Sequence, residues 1–295
     1  MAQIELGTLE ELINFSNGDY GRGTVSEPLD VVLTADLDFS LYEEENYSWP
    51  GCSGTWYLKF NGQNHTIDNI YTDSGSPWGF FEELHGTLEN LKLTHVYAIG
   101  TGQSALFAIR SYNSTISNCH GTGQIQATDG NCSCITAYAE NCTISRCSFS
   151  GILMSLGTGN YAAPLICIGA SNKPSYVSNC TILANITATN YACSFGGFAR
   201  FINCIYQGFL KASMSYMPIV HNGTMINCID IIQSGTSGTL LEDSGNVYNC
   251  YYDSDTAESA GITTDISATD LMSATTAELK NVTWMNNHGL PCVSG

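Results

Sequence analysis

Four cysteines lie close together near the middle of the chain and could in principle bind a metal ion. They are Cys132, Cys134, Cys142 and Cys147, which fall within sixteen residues. A structural zinc site usually takes its thiolates from paired CxxC motifs, whereas these cysteines have CxC and Cx4C spacings. Because residues i and i+2 of a strand share a face, the CxC pair suits a buried strand. We therefore predict that these cysteines fill the core and that the protein has no metal and no cofactor.

Polysaccharide cleavage would need clustered carboxylates, and lyases would also need a basic residue or a bound cation. The candidate carboxylate pairs are Glu242 with Asp243 and Asp253 with Asp255. Basic residues are scattered through the middle of the chain, at Arg110, Arg146, Lys173, Arg200 and Lys211. We interpret both pairs as solvated turns and predict no catalytic residue.

The histidines do not form a recognisable ligand or catalytic motif. No HExxH or similar spacing occurs among the six, which are His65, His85, His95, His120, His221 and His288. We interpret His65, in the segment NGQNHTI, as a residue that makes a structural hydrogen bond in a turn.

Aromatic residues are concentrated near the N-terminus. Within residues 42–78 lie Trp49, Trp56 and Trp78 together with Tyr42, Tyr47, Tyr57 and Tyr71. Exposed aromatic rings can stack on sugars, but the same residues can pack an N-terminal cap onto the core. Packing of a cap is the interpretation that we favour.

A repeating unit organises most of the chain. Five stretches end in Asn-Cys, a sixth ends in Arg146-Cys147, and two earlier ones have Asn followed by Ile or Leu. The key positions, 21 to 33 residues apart, are Ile70, Leu91, Cys119, Cys147, Cys180, Cys204, Cys228 and Cys250. Repeats of this length are typical of a solenoid, and the abundance of Val, Ile, Thr, Tyr, Gly and Asn favours strands over helices.

The repeat predicts two ladders of stacked side chains. The Cys, Ile and Leu positions should point inward as small apolar residues, with the thiols reduced and buried. The preceding amides should lie at a turn and bond to their equivalents in neighbouring coils; they are Asn69, Asn90, Asn118, Asn179, Asn203, Asn227 and Asn249. A second set of apolar clusters should supply another strand of each coil, at 79–84, 105–109, 163–169, 193–199 and 217–220.

Short helices are expected at both ends. Thr8 and Glu11 have the spacing of a capping box, and Gly18 can end the helix that they begin. Ser267 and Asp270 suggest a second helix near the C-terminus. We predict an N-terminal cap at 1–58, β-helix coils at 59–254 and a C-terminal cap at 255–295.

Charge and hydropathy exclude some classes of partner. The formal net charge is −18, so binding to nucleic acid or to an anionic lipid surface is not expected. No run of 18 apolar residues occurs, so we predict no membrane insertion. The first residues lack the pattern of a signal peptide, which leaves two possibilities: cytoplasmic synthesis, or removal of a signal.

The whole pattern resembles bacterial and bacteriophage β-helix proteins with GLUG-type repeats. The resemblance is carried by TLEELINF at 8–15, VVLTADLDF at 31–39, FNGQNHTIDNIY at 60–71, GFFEELHGTLENLKL at 79–93 and the later Asn-Cys rungs. The glycine-rich box of the family is degenerate at 105–109 and 217–220. The resemblance implies adhesins or phage tail-associated proteins, and it implies no defined reaction.

Together these features predict an all-β fold, a right-handed parallel β-helix with short capping helices at both ends. The expected function is that of a non-enzymatic structural or adhesive component of a phage virion. Its partners would be other virion or surface proteins and a host-surface glycan, and its oligomeric state stays open. The alternatives are a bacterial cell-surface adhesin and a polysaccharide lyase or hydrolase.

Overall fold

The chain folds into an all-β parallel solenoid of about eight turns, as predicted. The computed structural model describes residues 3–42, 47–73, 75–158, 160–212, 215–216, 220–221, 223–232, 246–255, 271–279, 281–288 and 290. Every strand pair among them is parallel, and the strands form three sheets that run along the solenoid axis. We call these sheets A, B and C.

Sheet A is the largest of the three. Its strands are β1 (Ile4–Leu6), β2 (Leu29–Leu33), β4 (Cys52–Asn61), β7 (Phe81–Glu89), β10 (Ala108–Tyr112), β11 (Thr115–Ser117), β14 (Thr136–Glu140), β15 (Thr143–Ser145), β18 (Ile166–Gly169), β19 (Ser175–Ser178), β22 (Gly196–Gly197), β23 (Ala199–Ile202), β27 (Val220–His221), β28 (Thr224–Ile226) and β30 (Asn246–Tyr248). From β10 onward, most coils contribute two short strands to this sheet because a kink divides the long strand.

Sheets B and C complete each coil. Sheet B contains β3 (Leu37–Asp38), β5 (Thr66–Asp68), β6 (Tyr71–Asp73), β8 (Lys92–Gly100), β12 (His120–Ala127), β16 (Ser148–Ser155), β20 (Thr181–Ala188), β24 (Ile205–Gly208), β25 (Leu210–Ala212), β29 (Ile229–Ile232), β31 (Cys250–Asp253) and β32 (Leu271–Ala274). Sheet C contains β9 (Ser104–Ala105), β13 (Cys132–Ser133), β17 (Tyr161–Ala162), β21 (Tyr191–Ala192) and β26 (Ser215–Tyr216). Four clusters of the expected second apolar set lie inside, where buried Phe80, Leu106, Leu165 and Phe195, with Ile135 of a further coil, precede the sheet A strands. The expected cluster at 217–220 lies outside the residues whose side chains are described.

An amphipathic helix covers the N-terminal end of the core. Helix α1 (Leu9–Asn17) begins with the predicted capping box of Thr8 and Glu11 and ends at Gly18, whose φ of 87° is left-handed. Its Phe15 is fully buried. The residues of the expected cap are nevertheless part of the solenoid, because β1 pairs with β2 and β2 pairs with β4.

The C-terminal helices lie against the side of the solenoid. Helices α2 (Thr276–Leu279) and α3 (Val282–Asn287) follow β32, which extends sheet B. Leu279 and Met285 pack on Ile205, Ile229 and Ile231, which face outward from sheet B. The helices thus bury an apolar part of that outer face. The helix start predicted at Ser267 and Asp270 lies outside the described residues.

The corner between sheets A and B contains the stacked asparagines and cysteines. Asn118 Nδ2 donates to Oδ1 of Asn90 over 2.8 Å, and Asn90 Nδ2 donates to Asn61 Oδ1 over 3.2 Å. Below Arg146 the stack resumes, with donation from Asn203 to Asn179, from Asn227 to Asn203 and from Asn249 to Asn227. All of these corner residues from Asn90 onward, Arg146 included, have φ between 49° and 55°. Asparagine tolerates this left-handed conformation better than most residues, which explains its recurrence.

The corner thiols line the core beneath this amide stack. Cys119, Cys147, Cys180, Cys204, Cys228 and Cys250 are buried and form no disulfide bond. Each thiol donates to the carbonyl oxygen two residues earlier, as Cys119 does to Ser117 over 3.3 Å. Burial raises the pKa of the Cys119 and Cys228 thiols above the ordinary range. Hydrogen bonds between neighbouring thiols shift the pKa in opposite directions along the stack, upward at Cys180 and downward at Cys250. Buried and free of disulfides, these cysteines pack as small apolar residues.

The first predicted rung lies elsewhere in the fold. Asn69 and Ile70 are in the middle of sheet B, since Thr66 pairs with Lys92 and Tyr71 pairs with Tyr97. There the Asn69 amide donates to Asp38 and Asp68. The corner position of that coil belongs to Asn64, whose φ is 65° and whose Oδ1 accepts from Asn118 over 3.3 Å. The expected rung at Asn69 and Ile70 is therefore replaced by Asn64 and His65.

We expect Asn203→Ala to lower the free energy of unfolding by about 2 kcal/mol, because both amide bonds are lost and alanine is strained at this φ. Asn203→Gly is the matched control, since glycine accepts the left-handed conformation but also lacks the amide. Urea unfolding should rank wild type above the glycine variant and the glycine variant above the alanine variant. Equal stability of all three proteins would show that the amide stack contributes nothing.

Arg146 interrupts the amide stack, and we expect Arg146→Asn to raise the free energy of unfolding by about 1 kcal/mol. Asparagine would relieve strain at a φ of 54° and would offer an amide between Asn118 and Asn179. Arg146→Gln removes the same charge without favouring the left-handed backbone. Thermal unfolding that is unchanged in the asparagine variant, or raised equally in both, would contradict this reasoning.

Candidate functional site

A groove runs along the outer face of sheet B. Its floor is a kink in β12, β16 and β24, where Gly123, Gly151 and Gly208 have φ between 137° and 154°, while Ala184 takes the equivalent position in β20. A Cβ at Gly151 would lie 1.9 Å from the carbonyl oxygen of Gly123, so the backbones approach too closely for any side chain. The kink therefore requires glycine in these strands, and it leaves a trough between the two rows of outward-facing residues.

The groove consists of two adjoining hollows. The larger has a volume of about 450 Å³ and is lined by Ser150, Ile152, Leu183, Asn185 and Gln207 beside the glycine backbone. The smaller, of about 160 Å³, shares Ser150 and Leu183 and extends past His120 and Thr122 to Lys92. The hollows cross five stacked strands, from β8 to β24. Four intervals between coils correspond to a length of about 19 Å.

The chemistry of the groove is that of hydroxyl and amide groups beside aliphatic side chains. Ile152 and Leu183 are each 40% exposed, although both are large apolar residues. No carboxylate is among the residues that line either hollow, although the chain contains 27 Asp and Glu. His120 is engaged at one end, where Nδ1 is 2.8 Å from Ser148 Oγ. Such a surface can form hydrogen bonds with the hydroxyl groups of a sugar and can also pack against the C–H face of its ring.

A second cluster of polar and aromatic residues lies on the outer face of sheet A. His85 Nε2 is 2.9 Å from Glu83 Oε1, and the imidazole is stacked between Tyr57 and Tyr112 at centroid distances of 4.5 and 5.3 Å. Tyr138 extends the row at 5.6 Å from Tyr112. Burial raises the pKa of both Tyr112 and Tyr138, with nearby glutamates adding to the effect. The phenols therefore stay protonated and can donate hydrogen bonds.

Ion pairs surround this aromatic row. Arg110 NH2 lies 3.3 Å from Glu82 Oε1, and Arg110 NH1 lies 4.0 Å from Glu83 Oε2. On the next coil Lys173 Nζ is paired with Glu140 at 2.5 Å. The stacked rings cover one another's faces, so the row presents ring edges and hydroxyl groups to solvent. It cannot act as a flat platform for sugars.

The sequence candidates for metal binding are dispersed in the fold. Cys132 lies on sheet C with Cys134 just after it, Cys142 follows the kink at Asn141, and Cys147 is in the corner stack. Cys142 Sγ contacts the carbonyl oxygens of Ser111 and Glu140 at 3.2 and 3.3 Å. In the part of the chain that is described, no three His, Cys, Asp or Glu residues are arranged to hold a metal ion.

Three other groups of sequence candidates have clear positions. Trp49, Trp56 and Trp78 are fully buried near the N-terminal end, where Trp56 packs against Phe15 of α1, whereas Tyr71 of the same group is 36% exposed. Asp253 is 2% exposed, so the interpretation of that residue as a solvated turn is wrong. Glu242 and Asp243 lie outside the described residues, and so does the side chain of His221. His65 makes the expected turn contact, with Nδ1 at 3.2 Å from Asp36 Oδ1.

Sequence reasoning identified neither the groove on sheet B nor the polar and aromatic cluster on sheet A. The groove had a local signal, because glycines interrupt the alternating strands HGTGQIQA and SFSGILMS. The sheet A cluster had no such local signal, since Glu83, Arg110 and Tyr138 meet only through the register of three coils. Within the described segments, no helix has the length and hydropathy needed to cross a membrane.

Comparison with known proteins supports the fold and does not identify a function. No protein-family model matches the chain, and no curated protein matches it by sequence. It is similar to the crystal structure of a Bacteroides ovatus protein described as a "putative immunoglobulin A1 protease". The TM-score is 0.58 at 13% identity, over 96% of this chain and 86% of that one. The GLUG-type relationship stays a prediction.

Proposed function

We propose that this protein is a non-enzymatic adhesive solenoid that holds a glycan chain in the groove of sheet B. The observation that carries the proposal is the combination of a long trough, hydrogen-bonding side chains that are uncharged except for Lys92 at one end, and exposed Ile152 and Leu183. Sugar hydroxyls pair with hydroxyl and amide groups, and sugar C–H faces pack on aliphatic side chains. A parallel solenoid also supplies a stiff, extended support for such a groove.

The proposed setting is a bacteriophage particle, where other virion proteins would hold the solenoid and a host-surface glycan would occupy the groove. The many buried thiols support synthesis in a reducing compartment, because disulfides are rare there. A bacterial cell surface is the alternative setting. The acidity of the chain argues against nucleic acid as a partner in either one.

The test is a substitution that fills the groove. Ser150 is exposed on sheet B and Ser53 is exposed on strand β4 of sheet A, so Ser150→Trp and Ser53→Trp add the same bulk to different faces. Binding of cell-wall and capsular polysaccharides should be measured by titration calorimetry. We expect at least a tenfold loss of affinity in Ser150→Trp, about 1.4 kcal/mol or more, and little change in Ser53→Trp.

The outcomes of this titration separate the possibilities. An unchanged affinity in Ser150→Trp would show that the polysaccharide does not bind in the groove. Absence of binding to every polysaccharide by the wild-type protein would remove the adhesive function itself. The same mixtures should be assayed for new reducing ends and for unsaturated products, and we expect neither to accumulate.

Polysaccharide cleavage is the second candidate, and one observation favours it. The sheet A cluster brings Glu82, Glu83 and Glu140 to one face together with Arg110 and His85. A carboxylate that orients an imidazole is a common arrangement for proton transfer. Product release that disappears in Glu83→Gln, but persists in Asp253→Asn, would make this cluster an active site and would overturn the binding-only proposal.

A further inference from the structure

Acidic residues are distributed very unevenly along this chain. Between Glu140 and Glu242 only Asp230 carries a carboxylate, whereas the same stretch contains Arg146, Lys173, Arg200 and Lys211. The other 26 carboxylates precede or follow that stretch, in a protein with a formal net charge of −18. The middle and lower coils thus form a basic zone within an acidic molecule.

The one carboxylate of this zone does not reach its surface. Asp230 is 1% exposed and projects into the core, where Ser194 Oγ donates to its Oδ2 over 2.8 Å. Burial raises its pKa well above the ordinary value. In the described residues from 141 to 232, the solvent-facing surface therefore carries basic side chains and no acidic ones.

Arg200 is held in place on that surface. Its guanidinium lies 5.7 Å from the ring centroid of Tyr176, which is its partner in the neighbouring strand of sheet A. Among the described residues, no carboxylate oxygen lies within 4.0 Å of its nitrogens, in contrast to Arg110 and Lys173. The charge is thus fixed by stacking and is not neutralised by an acidic neighbour.

A polar hollow of about 160 Å³ adjoins this arginine. Ser171, Thr224 and Asn246 line it together with Arg200 and the backbone of Gly223. The register of sheet A pairs Arg200 with Thr224 and Thr224 with Asn246, so the three side chains form one row across adjacent coils. Tyr176 and Tyr248, which are 45% and 48% exposed, face solvent on the same sheet.

We propose that this hollow is a binding site for the anionic group of an acidic polysaccharide, a carboxylate or a sulfate. The guanidinium supplies a planar pair of donors, and the hydroxyl and amide groups of the row supply further ones. The exposed tyrosines can contact the sugar rings on either side. The site is on sheet A and does not depend on the groove of sheet B, so the two proposals can fail separately.

The proposal is tested by calorimetric titration with polygalacturonate, heparin and uncharged dextran at 0.05 and 0.15 M salt. We expect binding of at least one acidic polymer, weaker binding at the higher salt concentration, and no binding of dextran that depends on Arg200. Arg200→Gln should weaken acidic-polymer binding at least tenfold. Arg200→Lys should restore only part of the affinity, because a lysine lacks the planar fork.

Lys211→Gln is the matched control. Lys211 is also exposed and belongs to the same basic zone, but it lies on sheet B, so its removal changes the net charge equally. Equal losses in Lys211→Gln and Arg200→Gln would show a diffuse charge effect and overturn the site. Undiminished binding in Arg200→Gln would overturn it as well, and so would equally tight, Arg200-dependent binding of a DNA oligonucleotide. Binding of polygalacturonate would show that a carboxylate is sufficient, whereas binding of heparin alone, which carries both groups, would show that a sulfate is required.

Discussion

Phe15→Ala should lower the free energy of unfolding by about 3–5 kcal/mol, the usual cost of removing a fully buried phenylalanine. Phe15 joins helix α1 to the first coils. Its ring lies 4.7 Å from that of Trp56, 6.0 Å from Phe60 and 6.5 Å from Phe81. Without it the open end of the core would lose its cover, and the first turns would be exposed to water.

The measurement is urea unfolding followed by tryptophan fluorescence, to which Trp56 contributes together with Trp49, Trp78 and Trp284. Tyr20→Ala is the matched control, because Tyr20 follows the same helix and is 41% exposed. We expect that control to change stability by less than about 0.5 kcal/mol. A Phe15→Ala protein as stable as the control would mean that α1 merely rests on the solenoid and does not close it.

Asp230→Asn should stabilise the protein at neutral and alkaline pH. The carboxyl group is buried, Tyr206 lies next to it in the strand register, and no donor among the described residues reaches its Oδ1. Burial raises its pKa in the folded state, and the charge of Asp253 adds to the effect. An ionised carboxylate at this position has no positive partner among the described residues, so its deprotonation opposes folding.

The sign of the pH dependence follows from linkage. Between the unfolded pKa, near 3.8, and the raised folded pKa, the native protein binds the additional proton. The stability that the neutral acid contributes is therefore complete below the unfolded pKa, and it is lost progressively as the pH rises through the folded pKa. Each pKa unit of that interval costs about 1.4 kcal/mol.

The experiment compares urea unfolding of wild type and Asp230→Asn from pH 4 to pH 9. The advantage of the variant should be smallest at pH 4 and should grow with pH to about 1–3 kcal/mol. Asp36→Asn is the control of opposite sign, because the Thr66 N–H and His65 lower the pKa of that exposed carboxyl. A parallel pH profile for wild type and Asp230→Asn would show that Asp230 is ionised and compensated in the fold.

Asn69 shows that the sequence can identify an asparagine with a left-handed backbone without showing whether it lies at a corner of the coil. Asn69 and Asn90 have φ of 57° and 55° and are each preceded by an acidic residue and followed by an aliphatic one. A local pattern cannot distinguish them. The pairing of Thr66 with Lys92 places Asn69 opposite the kink at His95, five residues past the true corner at Asn64.

The sequence by itself determined the parallel solenoid, the interior position of the recurrent cysteines and the capped N-terminal helix. Each of these depends on residue types within one unit: a left-handed asparagine, a small apolar residue after it, or a Thr and a Glu three residues apart. These patterns are local, and coils of unequal length preserve them.

Tertiary structure alone decided which coils face one another and what lies on each surface. Loops of different lengths separate the rungs, so the register between strands is set by packing between residues that are 21 to 33 positions apart. That register brings Glu83 to Arg110, places Arg200 between Tyr176 and Thr224, and joins Ser194 to Asp230 inside the core. It also lays α2 and α3 over the side of sheet B, because the outward-facing Ile205, Ile229 and Ile231 must be buried.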